Sequence, residues 1–148
     1  MAVVPTVQEF LRRANVPYTV FPHVRAYSAQ EEAAVTHVPG RYWAKAVICF
    51  VDGEPIQAVL PADLEVDLDR LADEDELLWL YPDCERGAMP PLGPLYRQMV
   101  YVDEALAADE QIVFNAGTHG DAVAMRYDDY ASITHPIVGR FARRPAFS

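Results

Sequence analysis

Few residues in this chain have the type and placement to do chemistry, and the most unusual is Lys45. It is the only lysine; the other eleven basic residues are arginines. It heads the otherwise apolar run Trp43 to Val51, rich in the β-branched and aromatic residues that suit a buried strand. A compact ammonium is costly there unless water or a polar partner meets it. Two readings are open: the side chain snorkels from the strand end into solvent, or it meets an anionic ligand. Two glycine-bearing loops bear on the choice, Cys84-Glu-Arg-Gly-Ala-Met-Pro-Pro-Leu-Gly-Pro94 and Asn115-Ala-Gly-Thr-His-Gly120. Glycines let backbone N–H groups approach a ligand closely, and such donors can hold a carboxylate, a phosphate or a developing oxyanion. Prolines in the first loop fix its shape before binding. Taken singly, either loop also reads as a tight surface turn.

Other schemes lack their residues. A serine hydrolase elbow needs a serine between glycines, and Ser28, Ser132 and Ser148 do not qualify. There is no phosphate-binding loop of the Walker type, no dinucleotide fingerprint and no histidine pair at helical metal spacing. His23, His37, His119 and His135 are scattered, and only His119 lies inside a glycine loop. Cys49 and Cys84 form neither a disulfide framework nor a metal spacing and read as reduced thiols. Neither a metal nor a cofactor is expected.

The elements that must position these residues follow from pattern. Thr6-Val-Gln-Glu9 has the form of a capping box and predicts a helix to about Ala14, stopped by Asn15-Val-Pro17. Tyr18 to Phe21 reads as a short strand. Ser28-Ala-Gln-Glu31 opens a second helix ending near Val38-Pro39-Gly40. Trp43 to Val51 and Pro55 to Leu60 are strands joined at the hairpin signal Asp52-Gly53. Asp67 to Leu80 reads as acidic helical turns. Strands are expected at Gln98 to Val102, Gln111 to Phe114 and Ala122 to Met125, with helical Asp103 to Ala108 and Asp128 to Ile133. Pro136 is expected to start a last helix through Phe141. The order implies an α/β fold of the α+β type, a mixed sheet with helices packed outside it.

The 148 residues suit one domain, 1–148, with a core of its own. The longest apolar run is too short to span a bilayer, and the N-terminus has no signal-like pattern, so a cytoplasmic protein without membrane contact is expected. The net charge of −10 argues against nonspecific binding to a nucleic-acid backbone, though the arginines of the first third and of the end could form a local basic face.

Together the motifs resemble the YbaK/prolyl-tRNA synthetase-associated domain family of aminoacyl-tRNA editing proteins. The resemblance rests on Ala44-Lys45-Ala46-Val47, on Gly87-Ala-Met-Pro-Pro91, which fits the family's Gly-x-x-x-Pro loop, and on Phe114-Asn-Ala-Gly-Thr-His119 followed by Met125 and Asp129. His23 and Tyr27-Ser-Ala-Gln-Glu31 leading to His37-Val-Pro-Gly40 add to it, and it spans about Val16 to Phe141. It implies a partly barrel-like mixed sheet flanked by helices, and hydrolysis in trans of the ester joining a wrong amino acid to the terminal adenosine of tRNA. It implies that Lys45 is required near the substrate end and that the Gly87 backbone helps bind the aminoacyl group. Asn115, Ala116, Gly117, Thr118 and His119 would wall the pocket, with Tyr27, His23, Met89 and Pro91 completing the substrate-binding set. An aminoacyl ester is already activated, so a positioned water and backbone donors can suffice without metal or protein nucleophile. The expected partner is the aminoacyl-adenosine end of tRNA, bound by a monomer. Low positive charge points to recognition of the acceptor end alone or to help from an aminoacyl-tRNA synthetase. The alternative is a noncatalytic member that binds an aminoacyl group, a nucleotide or a synthetase.

Overall fold

The computed structural model describes residues 5–22, 39–51, 53–66, 89–118 and 120–144. The expected helix from Ser28 and the acidic turns of Asp67 to Leu80 lie outside these residues.

The first helix, α1 (Pro5–Ala14), begins two residues earlier than the capping-box reading requires, which makes Thr6 the cap and Val7 the first helical residue. Pro5 takes the first helical position, where its missing N–H is no loss, so Thr6 lies inside the helix. Glu9 accordingly reaches forward, to Arg12 at 2.6 Å and Arg13 at 2.8 Å. Val7 and Leu11, four residues apart, turn into the core. Asn15 ends the helix at φ 56°, the left-handed conformation that asparagine tolerates, with its N–H on the Arg12 carbonyl.

Strands β1 (Thr19–Pro22), β2 (Trp43–Val51) and β3 (Glu54–Pro61) come next, then a short β4 (Glu65–Val66). In the β2–β3 hairpin Val51 pairs with Glu54, and Gly53 just before Glu54 has φ +81°. After them come β5 (Met99–Asp103), α2 (Glu104–Ala107), β6 (Gln111–Asn115), β7 (Asp121–Arg126) and α3 (Tyr127–Thr134). β8 (Ile137–Gly139) and β9 (Ala142–Arg143) complete the described chain. Seven strands form one sheet in the order β1-β7-β6-β2-β3-β5-β8, and β4 pairs with β9 separately. The sheet is mixed: β2 runs antiparallel to β3 but parallel to β6, and β5 is parallel to both β3 and β8.

The segment after α3 corrects one expectation. Pro136 does not start a helix; Ile137 and Val138 extend along β5 instead. His135 closes α3 at φ 49°, donating its N–H to the Ala131 carbonyl, so the proline acts as the stop that follows a left-handed cap. The β-branched pair after it then suits a strand.

Successive side chains of a strand face opposite ways, which sorts the sheet into two faces. One carries the main core: Ala44, Val59, Val102, Phe114 and Val123 pack against Val7 and Leu11 of α1, Leu106 of α2 and Tyr130 of α3. The other carries Trp43 with Val113 and Ala122, and further along Cys49 with Ile56 and Ala58. Lys45 belongs to this second face by alternation, between the two clusters.

Gly93, opening a 3-10 turn over Gly93–Tyr96, fits where no side chain can: a Cβ there would collide with Val100 Cγ2 and the Gln98 carbonyl oxygen. Gly93→Ala is therefore expected to lower stability by about 1–3 kcal/mol through overpacking, read as a shifted midpoint with unchanged slope in urea unfolding.

Candidate active site

Lys45 lies near the start of β2, where parallel pairing with β6 ends. Ala44 opposes Phe114, and one step further along the two strands stand Lys45 and Asn115, the last residue of β6. Across the hairpin Lys45 faces the fully buried Leu60. Its Nζ donates to the Ala62 carbonyl at 3.4 Å, a long hydrogen bond. Ala62 itself is fixed, its N–H shared between the carbonyls of Gly40 and Trp43. Burial pushes the Lys45 ammonium below the ordinary lysine range, and the charges of Glu65 and Asp63 oppose that shift without cancelling it. Among the described residues the ammonium thus spends one of its three donors, weakly, while partly withdrawn from water.

The second glycine loop leaves the sheet at this point. Asn115 is half-buried and Ala116, Gly117 and Thr118 are buried. Gly117 has φ +99°, which a side chain would strain. The loop is tied to the first residue of β7: the Ala116 N–H donates to the Asp121 carbonyl at 3.2 Å, and Thr118 Oγ1 to Asp121 Oδ2 at 2.7 Å.

The described part of the first loop is anchored elsewhere. Met89, Pro90 and Pro91 are buried. Gln57 Nε2 donates to the Pro90 carbonyl at 3.0 Å, and the Tyr130 hydroxyl to the Pro91 carbonyl at 2.6 Å. Both donors belong to the core face. The structure therefore brings Lys45 to the mouth of the Asn115–Thr118 loop, and holds Pro90 and Pro91 from the opposite side of the sheet. No hydrogen bond or ion pair joins Lys45 to either loop among the described residues. Gly87, His23, Tyr27 and His119 lie outside those residues. Gln57, Asp121 and Tyr130, which anchor the loops, carry no signal in the sequence beyond being polar or hydroxyl-bearing residues next to apolar strands.

Cys49 is buried on the Lys45 face, and burial pushes its thiol up, away from nucleophilic thiolate character. No group of three or more His, Cys, Asp or Glu side chains among the described residues could hold a metal ion. A concavity of about 630 Å³ on the same face is lined by Tyr42, Asp109, Gln111, Val113, Ala124 and Arg126. It lies beyond Trp43, toward the start of β6, and Lys45 does not line it.

Residues 23–133 match the family model of the aminoacyl-tRNA editing domain. The chain belongs to that family. Hydrolysis of mischarged aminoacyl-tRNA in trans is accordingly its activity, with tRNA as substrate. The editing domain is 30% identical over 120 residues to the multifunctional Ser/Thr-tRNA deacylase ProXp-y of Escherichia coli K12, spanning 68% of this chain and 69% of that one. Its fold matches that of a hypothetical protein at TM-score 0.83 and 18% identity, over 93% of this chain and 99% of that one. It also matches a candidate trans-editing enzyme for prolyl-tRNA synthetase at TM-score 0.83 and 16% identity, over 97% and 98%. These likenesses establish the mixed-sheet editing fold. No helix among the described residues is long and apolar enough to cross a membrane.

Proposed function

We propose that the editing reaction takes place at the Lys45 end of the sheet, and that Lys45 holds the terminal adenosine of tRNA or its phosphate. The observation that carries this reading is a partly buried ammonium with one long hydrogen bond among the described residues, standing beside a glycine loop tied to Asp121. A cation desolvated in that way gains most from an anionic partner. Water then adds to the ester carbonyl, the bond from that carbon to the ribose oxygen breaks, and the water's proton passes to the leaving oxygen. Backbone donors at Gly87 would hold the aminoacyl group, and Asn115 to His119 would wall it, with Met89, Pro91, Tyr27 and His23 completing the pocket. No Schiff base is called for, because an ester carbonyl does not condense with an amine to an imine and water can release the amino acid directly.

The domain is taken as residues 1–148, acting as a cytoplasmic monomer. Serine and threonine are the first amino acids to try, since the Escherichia coli relative is a Ser/Thr-tRNA deacylase. Association with prolyl-tRNA synthetase is proposed in parallel, because a net charge of −10 and a single lysine leave little to grasp a whole tRNA. The test is a panel of mischarged tRNAs: lysine-dependent release of an amino acid supports the reading. Tight binding without release would instead favour the noncatalytic alternative.

The pH profile provides a second check. If protonated Lys45 acts, kcat/KM falls on the alkaline side as the ammonium loses its proton. Since burial holds that ammonium below the ordinary range, the midpoint is expected below that of an exposed lysine, measured after subtracting spontaneous ester hydrolysis. A profile flat through that range would remove the charge from the mechanism.

A further inference from the structure

We propose that Tyr130 and Gln57 are positioning residues that set amino-acid selectivity, by locking the Met89–Pro91 wall of the aminoacyl pocket from behind. The inference rests on the proposed role of that loop in substrate binding. Its basis is the way two consecutive prolines are held. Neither Pro90 nor Pro91 has an N–H, so this stretch can be tied down only through its carbonyls. Both carbonyls accept a buried side-chain donor, and the two donors come from different elements, 33 and 39 residues away in the chain.

Packing alone does not call for these side chains. Gln57 and Tyr130 are each fully buried, and a leucine or phenylalanine would fill the same space without bringing polar atoms out of water. What the polar atoms add is direction: each fixes where one prolyl carbonyl points. The donors are themselves immobile. The Tyr130 ring is flanked by Phe114 at 6.2 Å and Tyr127 at 6.0 Å, and burial drives its hydroxyl far above the ordinary tyrosine range, so it stays a donor. Gln57 sits in β3, paired with Ile48 on one side and Val100 on the other. Beyond the prolines, Gly93 lies too close to Val100 and Gln98 to admit a side chain, and its carbonyl accepts the Gln98 N–H at 2.9 Å. A pocket wall held at successive residues cannot yield to a larger or smaller amino acid, and that rigidity is what discrimination by shape requires.

The test uses the full chain and one tRNA charged separately with serine, threonine and alanine. The readout is the ratio of kcat/KM between the best and the worst amino acid, for the wild type, Tyr130→Phe and Gln57→Met. A lower folded fraction scales all three substrates by one factor and leaves the ratio alone. A loosened wall changes it. Each variant is expected to shrink the ratio by about fivefold, the factor associated with one ordinary hydrogen bond. Turnover that falls equally for all three amino acids in both variants would overturn the proposal and leave the editing reading intact. Absence of release by the wild type would overturn both. Should Tyr130→Phe fail to fold, Gln57→Met, in the other element, decides the matter by the same ratio.

Discussion

Lys45→Met is expected to lower kcat/KM for a mischarged tRNA by about 10²–10³-fold, the loss that follows removal of one charged partner from a substrate phosphate in a partly desolvated site. The same change is expected to make the protein more stable. In the folded chain the ammonium is partly withdrawn from water, and its only hydrogen bond among the described residues is a 3.4 Å contact with the Ala62 carbonyl. Methionine fills similar space without a charge to desolvate. Its neighbours along the face, Trp43 on one side and Val47 on the other, already pack in apolar clusters. A rise in Tm of ~2–4 °C at neutral pH corresponds to ~1 kcal/mol in a domain of this length. The pH dependence has a fixed sign. The folded lysine has the depressed pKa, so the unfolded chain binds the proton more tightly, and wild-type stability rises as pH passes from the folded toward the unfolded value. Lys45→Met lacks that rise, so the two stabilities converge in alkali. Opposite movements of activity and Tm are what a residue retained for function rather than for the fold produces.

Asp103→Ala is expected to have the largest effect on stability, about 2–4 kcal/mol, or ~5–15 °C in Tm, from losing a helix cap together with two further backbone partners. The buried Asp103 carboxylate accepts from the Ala105 N–H at 3.0 Å, capping α2, and from the N–H groups of Phe141 at 2.8 Å and Ala142 at 2.9 Å. One side chain thus joins the end of β5, the start of α2 and the chain entering β9. Burial alone would raise this carboxyl, but the three backbone donors and the charge of Arg140 outweigh it and hold it below the ordinary range. A depressed folded value means the contribution is fully present above the unfolded pKa and is lost as pH falls through the folded one. Wild type and Asp103→Ala should therefore differ at neutral pH and converge in acid, as read by thermal melts. Asp103→Asn keeps an acceptor oxygen without the charge and should fall between them. Because none of these partners touches Lys45 or either glycine loop among the described residues, deacylation per folded molecule should not change.

Much of this was legible in the sequence where a local pattern had one dominant cause. The Asp52-Gly53 hairpin announced itself through turn chemistry, and Gly53 at φ +81° is what that chemistry demands. Lys45 stands out because it is the only lysine in the sequence and heads an otherwise apolar strand. Two local signals misled. Thr6 to Glu9 matches a capping box that starts the helix at Val7, but Pro5 supplies a helix start two residues earlier. Pro136 matched both a helix start and the stop after a cap, and His135 in the left-handed conformation decided for the stop. What the sequence concealed is long-range. Gln57 reads as one polar residue in an apolar strand and Tyr130 as one aromatic on a short helix; their shared task appears only when folding brings Pro90 and Pro91 between them. Likewise, the order of motifs along the chain does not reveal that Lys45 and the Pro90-Pro91 stretch attach to opposite faces of the sheet.

The measurement closest to the central claim is single-turnover deacylation of a mischarged tRNA panel, serine and threonine included, by the wild type and by Lys45→Met shown to be folded by its melt. At subsaturating enzyme the wild type is expected to release at least one amino acid, and Lys45→Met to do so about 10²–10³-fold more slowly. Equal rates from the two folded proteins would contradict it.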